Sequence, residues 1–204
     1  MAYRKEKPKQ GSELEKFLVR EQPYTYEDYA ALPEDELLRY ELADGKLELM
    51  SSPTPRHQLV ILQIVIAVTQ TCGKEYFLIQ DVDLLISNTE VRRADLSIIH
   101  RSRKAIITNK GITEPPEVVV EILSPLTART DKYSKAKSYT SFGIPEYWIL
   151  DPLNGLLEKH VLDNNAYRLA NLYMKDDCID LEQLPCASFT LNELLSEAAE
   201  LPND

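Results

Sequence analysis

The hydrophobic pattern changes period several times along the chain. Val118, Val119, Val120, Ile122 and Leu123 form a near-continuous, largely β-branched run between Pro115-Pro116 and Ser124-Pro125, which predicts a strand buried on both faces. Pro55 to Gln70 carries Leu59, Ile61, Leu62, Ile64, Val65, Ile66 and Val68 without clean alternation. That predicts a buried helix ending at Cys72-Gly73. Further helices are expected over Tyr24–Leu32 (started by Tyr24 or Thr25, stopped by Pro33), over Glu34–Leu38 as a short turn, over Thr127–Phe142 closed by Gly143, and over Leu191–Ala199. Tyr40–Leu42 and Lys46–Met50 flank Ala43-Asp44-Gly45, a hairpin signal. Short strands are expected at Tyr76–Gln80, Asp83–Ser87, Asp95–His100 and Glu146–Asp151, with a short helix near Ala105-Ile106-Ile107. Leu156–Leu162 and Tyr167–Leu172 read as a hairpin across Asp163-Asn164-Asn165. The picture is a single mixed α/β domain over residues 23–200, preceded by a charged, flexible arm over 1–22 with a short helical piece at Ser12–Val19.

Composition narrows the function classes. The 204 residues carry a net charge of −10, which argues against a protein that coats nucleic acid through a broad basic face but not against an enzyme with a local cationic cleft. Cys72, Cys178 and Cys186 form no CxxC pair, and idle thiols in a reducing cytoplasm are the expectation. His57, His100 and His160 are too scattered for a zinc signature. No apolar run is long enough to span a membrane, and no secretory signal opens the chain, so a cytoplasmic protein is expected. Six glycines without GxGxxG, P-loop or GxSxG patterns speak against nucleotide-binding and serine-hydrolase chemistry.

Glu121 interrupts the buried strand near its end, where a carboxylate is costly unless paired, protonated or bound to a metal. Asp95 opens another short strand; if the two run antiparallel, Asp95 and Glu121 meet. Two adjacent carboxylates repel unless a cation lies between them, and Mg²⁺ is commonly held by one or two carboxylates with water and phosphate completing its shell. Asp131, Lys135 and Tyr139 recur every four residues on one helix face. This is either a weak surface pair or a device that brings Lys135 back over the acids.

Three segments together resemble the Uma2 family, the former DUF820 group of endonucleases with the PD-(D/E)XK nuclease fold: Glu121-Ile-Leu-Ser-Pro125; Asp131, Lys135 and Tyr139; and Gly143-Ile-Pro-Glu-Tyr-Trp-Ile-Leu-Asp-Pro152. Tyr40-Glu-Leu-Ala-Asp-Gly45 and Ser52-Pro-Thr-Pro-Arg-His57 are similar to the family's N-terminal pattern. The resemblance implies a restriction-endonuclease-like core, a central mixed sheet flanked by helices with a C-terminal β-hairpin extension, acting on DNA with Mg²⁺ or Mn²⁺. Asp95, Glu121 and the main-chain carbonyl of Ile122 would hold the ion. Lys135 would take the lysine role, because Leu123 occupies the usual lysine position, and Ala94 stands where the pattern has proline. Glu41 matches a family acid that joins the catalytic set or else faces solvent from its strand, and His57 would contact substrate or simply cap the helix it opens. Arg92, Arg93, Arg101, Arg103, Lys104 and Lys110 on one side, and Arg129, Lys132 and Lys137 on the other, are the cations expected to track a phosphate backbone, with Arg93 and Lys137 the expected substrate contacts. A homodimer would suit double-strand cutting. The rival reading is a catalytically silent module of the same fold that binds DNA or a partner protein.

Overall fold

The structure is a computed structural model and describes residues 22–32, 39–124, 130–179 and 181–202. The arm over 1–22 falls almost wholly outside the described residues. So do Ser12–Val19, Pro33, Glu34–Leu38 and the first three residues of the expected Thr127–Phe142 helix. The chain divides into two compact units, residues 1–50 with 87–91, and residues 51–86 with 92–204.

In the smaller unit, helix α1 (Tyr26–Ala30) starts at a reciprocal cap: Thr25 Oγ1 accepts from the Asp28 amide, and Asp28 accepts from the Thr25 amide. Strands β1 (Tyr40–Ala43) and β2 (Lys46–Leu49) pair antiparallel across Asp44-Gly45. Both turn residues have positive φ, 49° and 71°, the mirror-image turn that matches strand twist and favours glycine at its second place. Leu42 of β1 pairs with Val91.

The larger unit is built on a mixed sheet in the order β10-β9-β8-β7-β4-β3-β6-β5. Its strands are β3 (Tyr76–Ser87), β4 (Glu90–His100), β5 (Ile107–Thr108), β6 (Gly111–Ile112), β7 (Val118–Ile122), β8 (Glu146–Asp151), β9 (Leu156–Asp163) and β10 (Ala166–Met174). β4 runs antiparallel to β7, and β7 runs parallel to β8. Residues alternate between the faces of β7. Val118, Val120 and Ile122 join the core under helices α2 (Pro55–Cys72) and α4 (Leu191–Ala199), while Val119 joins the core under Tyr139, Tyr147 and Ile149. The connection from β7 to β8 contains a π-helical segment (Thr130–Lys135) followed by helix α3 (Ala136–Phe142). Gly143 ends α3 at φ 88°, its amide reaching the carbonyls of Tyr139 and Thr140. Among the described residues no helix is long and apolar enough to cross a membrane.

Three expectations need correction. The strands expected at Tyr76–Gln80 and Asp83–Ser87 are one strand, β3, which runs on through Asp81 although that residue takes a left-handed conformation (φ 54°). The described part of the Thr127–Phe142 helix begins as a π turn. The idle-thiol reading fails for two of three cysteines: Cys72 and Cys186 form a disulfide across 114 residues of sequence, with Cα atoms 5.5 Å apart. The end of α2 packs against the segment before α4, a long-range contact that cysteine spacing does not reveal. Cys178 is free and exposed.

Candidate active site

The larger unit gathers Asp95, Glu121, Asp131, Lys135, Tyr139 and His57. Register brings the first two together. Leu96 of β4 pairs with Val120 of β7, so the next step of the antiparallel ladder sets Asp95 opposite Glu121. The ladder stops there, and the Asp95 side chain takes over: its Oδ2 accepts the Ile122 amide at 2.7 Å. The same oxygen lies 2.9 Å from Nε2 of His57, in the first turn of α2.

Glu121 is 1% exposed and shares its sheet face with Val119. Lys135 Nζ, reaching back from the end of the π turn, donates to Glu121 Oε1 at 3.0 Å and Oε2 at 2.9 Å, and to the Arg93 carbonyl at 3.1 Å. Asp131 Oδ1, one turn earlier, is 3.7 Å from the same ammonium. The Tyr139 hydroxyl donates to Glu121 Oε1. Tyr147, edge-on to Tyr139, donates its hydroxyl to the Asp131 carbonyl and so ties β8 to the π turn. Asp131 and Lys135 are therefore a buried pair rather than a surface one, at 2% and 6% exposure.

These surroundings push the two acids apart in proton affinity. Burial raises Asp95, but the His57 hydrogen bond, the Lys135 charge and the Ile122 amide outweigh it and hold the carboxyl below the ordinary aspartate range. Burial drives Glu121 well above the ordinary glutamate range; Lys135 opposes this, while the charges on Asp95 and Asp131 reinforce it. Adjacent acids with opposite shifts are a recurring feature of catalytic sites. Burial also raises the Tyr147 phenol, helped by the Glu121 charge.

The other expected residues lie as follows. Arg93 places its guanidinium on Asp83, with Nε and Nη2 both 2.8 Å from Oδ1. Lys137 is exposed, whereas Lys135 two residues earlier is buried. Glu41 is buried in β1 of the smaller unit, where it pairs across the strands with Glu48. Several cations expected to track a phosphate backbone have protein partners: Arg92 donates to Ser134 and Ser138, Arg103 to Glu117, and Lys132 to Glu158. Arg129 is outside the described residues. Asp131 and Tyr139, which share a four-residue spacing with Lys135 in the sequence, join the site beyond the residues the sequence assigns to it. Their signal was the spacing itself, which put them on the face that carries Lys135.

A sequence model of the Uma2 family, described as "Putative restriction endonuclease", matches residues 26–192. The chain belongs to the Uma2 family. Among solved structures, this Uma2 chain is similar to "a putative nuclease belonging to DUF820" from Anabaena variabilis, with a TM-score of 0.72 and 17% identity over 86% of this chain and 99% of that one. It shows the same fold, a central mixed sheet flanked by helices. The type IIG restriction endonuclease BpuSI aligns with a TM-score of 0.42 and 13% identity over 73% of this chain and 17% of that one, too slight a likeness to carry an argument. No curated protein matches.

Proposed function

We propose that this Uma2 protein is an endonuclease that hydrolyses phosphodiester bonds of DNA with Mg²⁺ or Mn²⁺, and that Asp95, Glu121 and Lys135 carry the reaction. The observation behind the reading is the reach of Lys135, from the helix after β7, onto the Glu121 carboxylate beside Asp95. It supplies the cation that Leu123, at the usual lysine position, cannot.

The donor set suits a hard divalent ion. Among the described residues Asp95 Oδ1 has no hydrogen-bond partner, while Oδ2 is fixed by His57 and Ile122. No group of three or more His, Cys, Asp or Glu that could hold a metal lies among the described residues. On the family match the ion would rest on Asp95, Glu121 and the Ile122 carbonyl, two carboxylates with water and phosphate completing its shell, as is usual for Mg²⁺. When bound, it supplies an acidified water and a charge facing the scissile phosphate. Lys135 covers both Glu121 oxygens, so one of them has to be released for an ion to share it. The freed ammonium would then be available to steady negative charge developing on the phosphate. Asp131, 3.7 Å from the ammonium, helps hold Lys135 in place. Glu41, a buried acid of β1, enters the proposal through its match to the family acid and is tested by Glu41→Gln. Arg93, through its main-chain carbonyl on Lys135, supports the site from within, and exposed Lys137 is the remaining candidate phosphate contact. A homodimer would allow both strands to be cut.

The test is divalent-dependent nicking of supercoiled DNA by wild type, Glu121→Ala and Lys135→Ala. Loss of nicking in both variants supports the reading. Equal nicking by all three sinks the site assignment. Nicking by none, with no Mn²⁺ bound in calorimetry, favours the silent module.

A further inference from the structure

The segment Thr54-Pro55-Arg56-His57 behaves as one device. Thr54 caps α2, its Oγ1 accepting the His57 amide at 3.2 Å, and Pro55 begins the helix with φ already set. Arg56 clamps the end of α4: Nη1 donates to the Ala198 carbonyl at 2.6 Å, and Nη2 to those of Leu201 and Pro202 at 3.1 and 3.2 Å. The first turn of α2 is thus held at both sides, and the His57 ring is 12% exposed and directed at Asp95.

Neither nitrogen of that ring is open to solvent for a substrate: one is on Asp95 and the other is buried. Nε2 lies on the Asp95 carboxylate, which is acceptor-only when ionised, so Nε2 is the donor. Nδ1 is buried without a hydrogen-bond partner among the described residues, and a proton left there would cost the desolvation of an unmet donor. Neither nitrogen is presented to a substrate.

We infer that His57 is a positioning residue rather than a substrate contact: with the Ile122 amide it fixes Asp95 Oδ2 and so presents Oδ1 to a divalent cation. The inference rests on the metal reading above. It gives Asp95 the kind of outer partner whose loss weakens metal binding by about 10–100-fold.

The test is Mn²⁺ calorimetry on full-length wild type, His57→Ala, His57→Asn, His57→Gln and Asp95→Asn, each checked for folding by circular dichroism. Glutamine can place an amide donor near the position of Nε2, whereas asparagine is too short. Affinity should fall by about 10–100-fold in Ala and Asn and return to within a few-fold of wild type in Gln. Unchanged affinity in Ala, or a Gln variant as weak as Asn, overturns the positioning role; the Gln–Asn comparison decides even if Ala does not fold. Imidazole-nitrogen coupling in the Mn²⁺ spin-echo spectrum would make His57 a ligand and overturn it equally. Wild type that binds no Mn²⁺ is a different failure: it removes the metal reading itself, and with it the role inferred for His57. Without metal, the His57 Nε2 proton should exchange slowly with water in wild type and fast in Asp95→Ala; fast exchange in both removes the contact.

Discussion

Lys135 Nζ donates to both carboxylate oxygens of Glu121, at 3.0 and 2.9 Å, from fourteen residues further along the chain. Both side chains are almost wholly buried, so the pair is costly to break from one side. Lys135→Met should lower unfolding free energy by about 3–5 kcal/mol, because the Glu121 charge is left without its ammonium. Glu121→Gln together with Lys135→Met should cost much less than the two single losses added. Urea denaturation of the four proteins checks this; additive losses would mean that the pair is not coupled.

The Cys72–Cys186 disulfide ties the end of α2 to the segment before α4. A cross-link spanning 114 residues restricts the unfolded chain strongly, by about 4–5 kcal/mol in the loop-entropy picture, with smaller values typical in practice. Reductant should therefore lower the melting temperature of wild type by several degrees and leave a Cys72→Ala/Cys186→Ala protein unaffected. Peptide mapping without reductant should recover Cys72 linked to Cys186 and Cys178 as a free thiol.

Glu146 gives a pH signature on the other face of the sheet. Burial raises its carboxyl, while the Trp148 indole N–H (2.6 Å) and the Lys159 charge pull it back only in part. The folded protein then holds this proton to higher pH than the unfolded chain does. Its contribution favours the fold below the ordinary glutamate range and turns against it as pH rises through the raised value. Glu146→Gln keeps an oxygen for the indole and removes the titration. The melting temperature of the variant relative to wild type should rise between about pH 4 and about pH 7. A constant difference would contradict the shift.

Arg56 supplies donors to three carbonyls at and just beyond the end of α4, those of Ala198, Leu201 and Pro202. Arg56→Ala should cost about 1–3 kcal/mol, and Arg56→Lys should recover only part, since an ammonium lacks the guanidinium fork. Hydrogen exchange should quicken at the C-terminal end of α4 before it does in the sheet.

Much of this was legible in the residues. A buried strand interrupted by Glu121 is a local pattern, and the expected antiparallel approach of Asp95 is seen in the register. Contrary to expectation, Asp95 does not open its strand but lies within β4 (Glu90–His100), whose Val91, Arg92 and Arg93 extend it past the apolar run. The four-residue rhythm of Asp131, Lys135 and Tyr139 held through a change from π to α geometry. Other features were not legible, for physical reasons. The His57–Asp95 contact depends on how α2 crosses the sheet, and the hydrophobic pattern of the helix says which face is buried but not where its first turn ends up. The disulfide depends on the same packing of α2 against the approach to α4. β3 runs through Gln80-Asp81-Val82, where the polar break in the pattern reads as a turn and one aspartate does take a left-handed conformation. Arg93 and Lys132 read as phosphate-tracking cations because sequence shows charges but not the acids opposite them, Asp83 and Glu158.

The central claim is that Asp95 and Glu121 share a divalent cation and that Lys135 yields part of its hold on Glu121 to admit it. Anomalous diffraction from crystals of the wild-type protein soaked in Mn²⁺ addresses both halves at once. The account predicts a manganese peak between the two carboxylates and beside the Ile122 carbonyl, with Lys135 Nζ drawn off one Glu121 oxygen. No peak at saturating Mn²⁺, with Lys135 still on both oxygens, would contradict it.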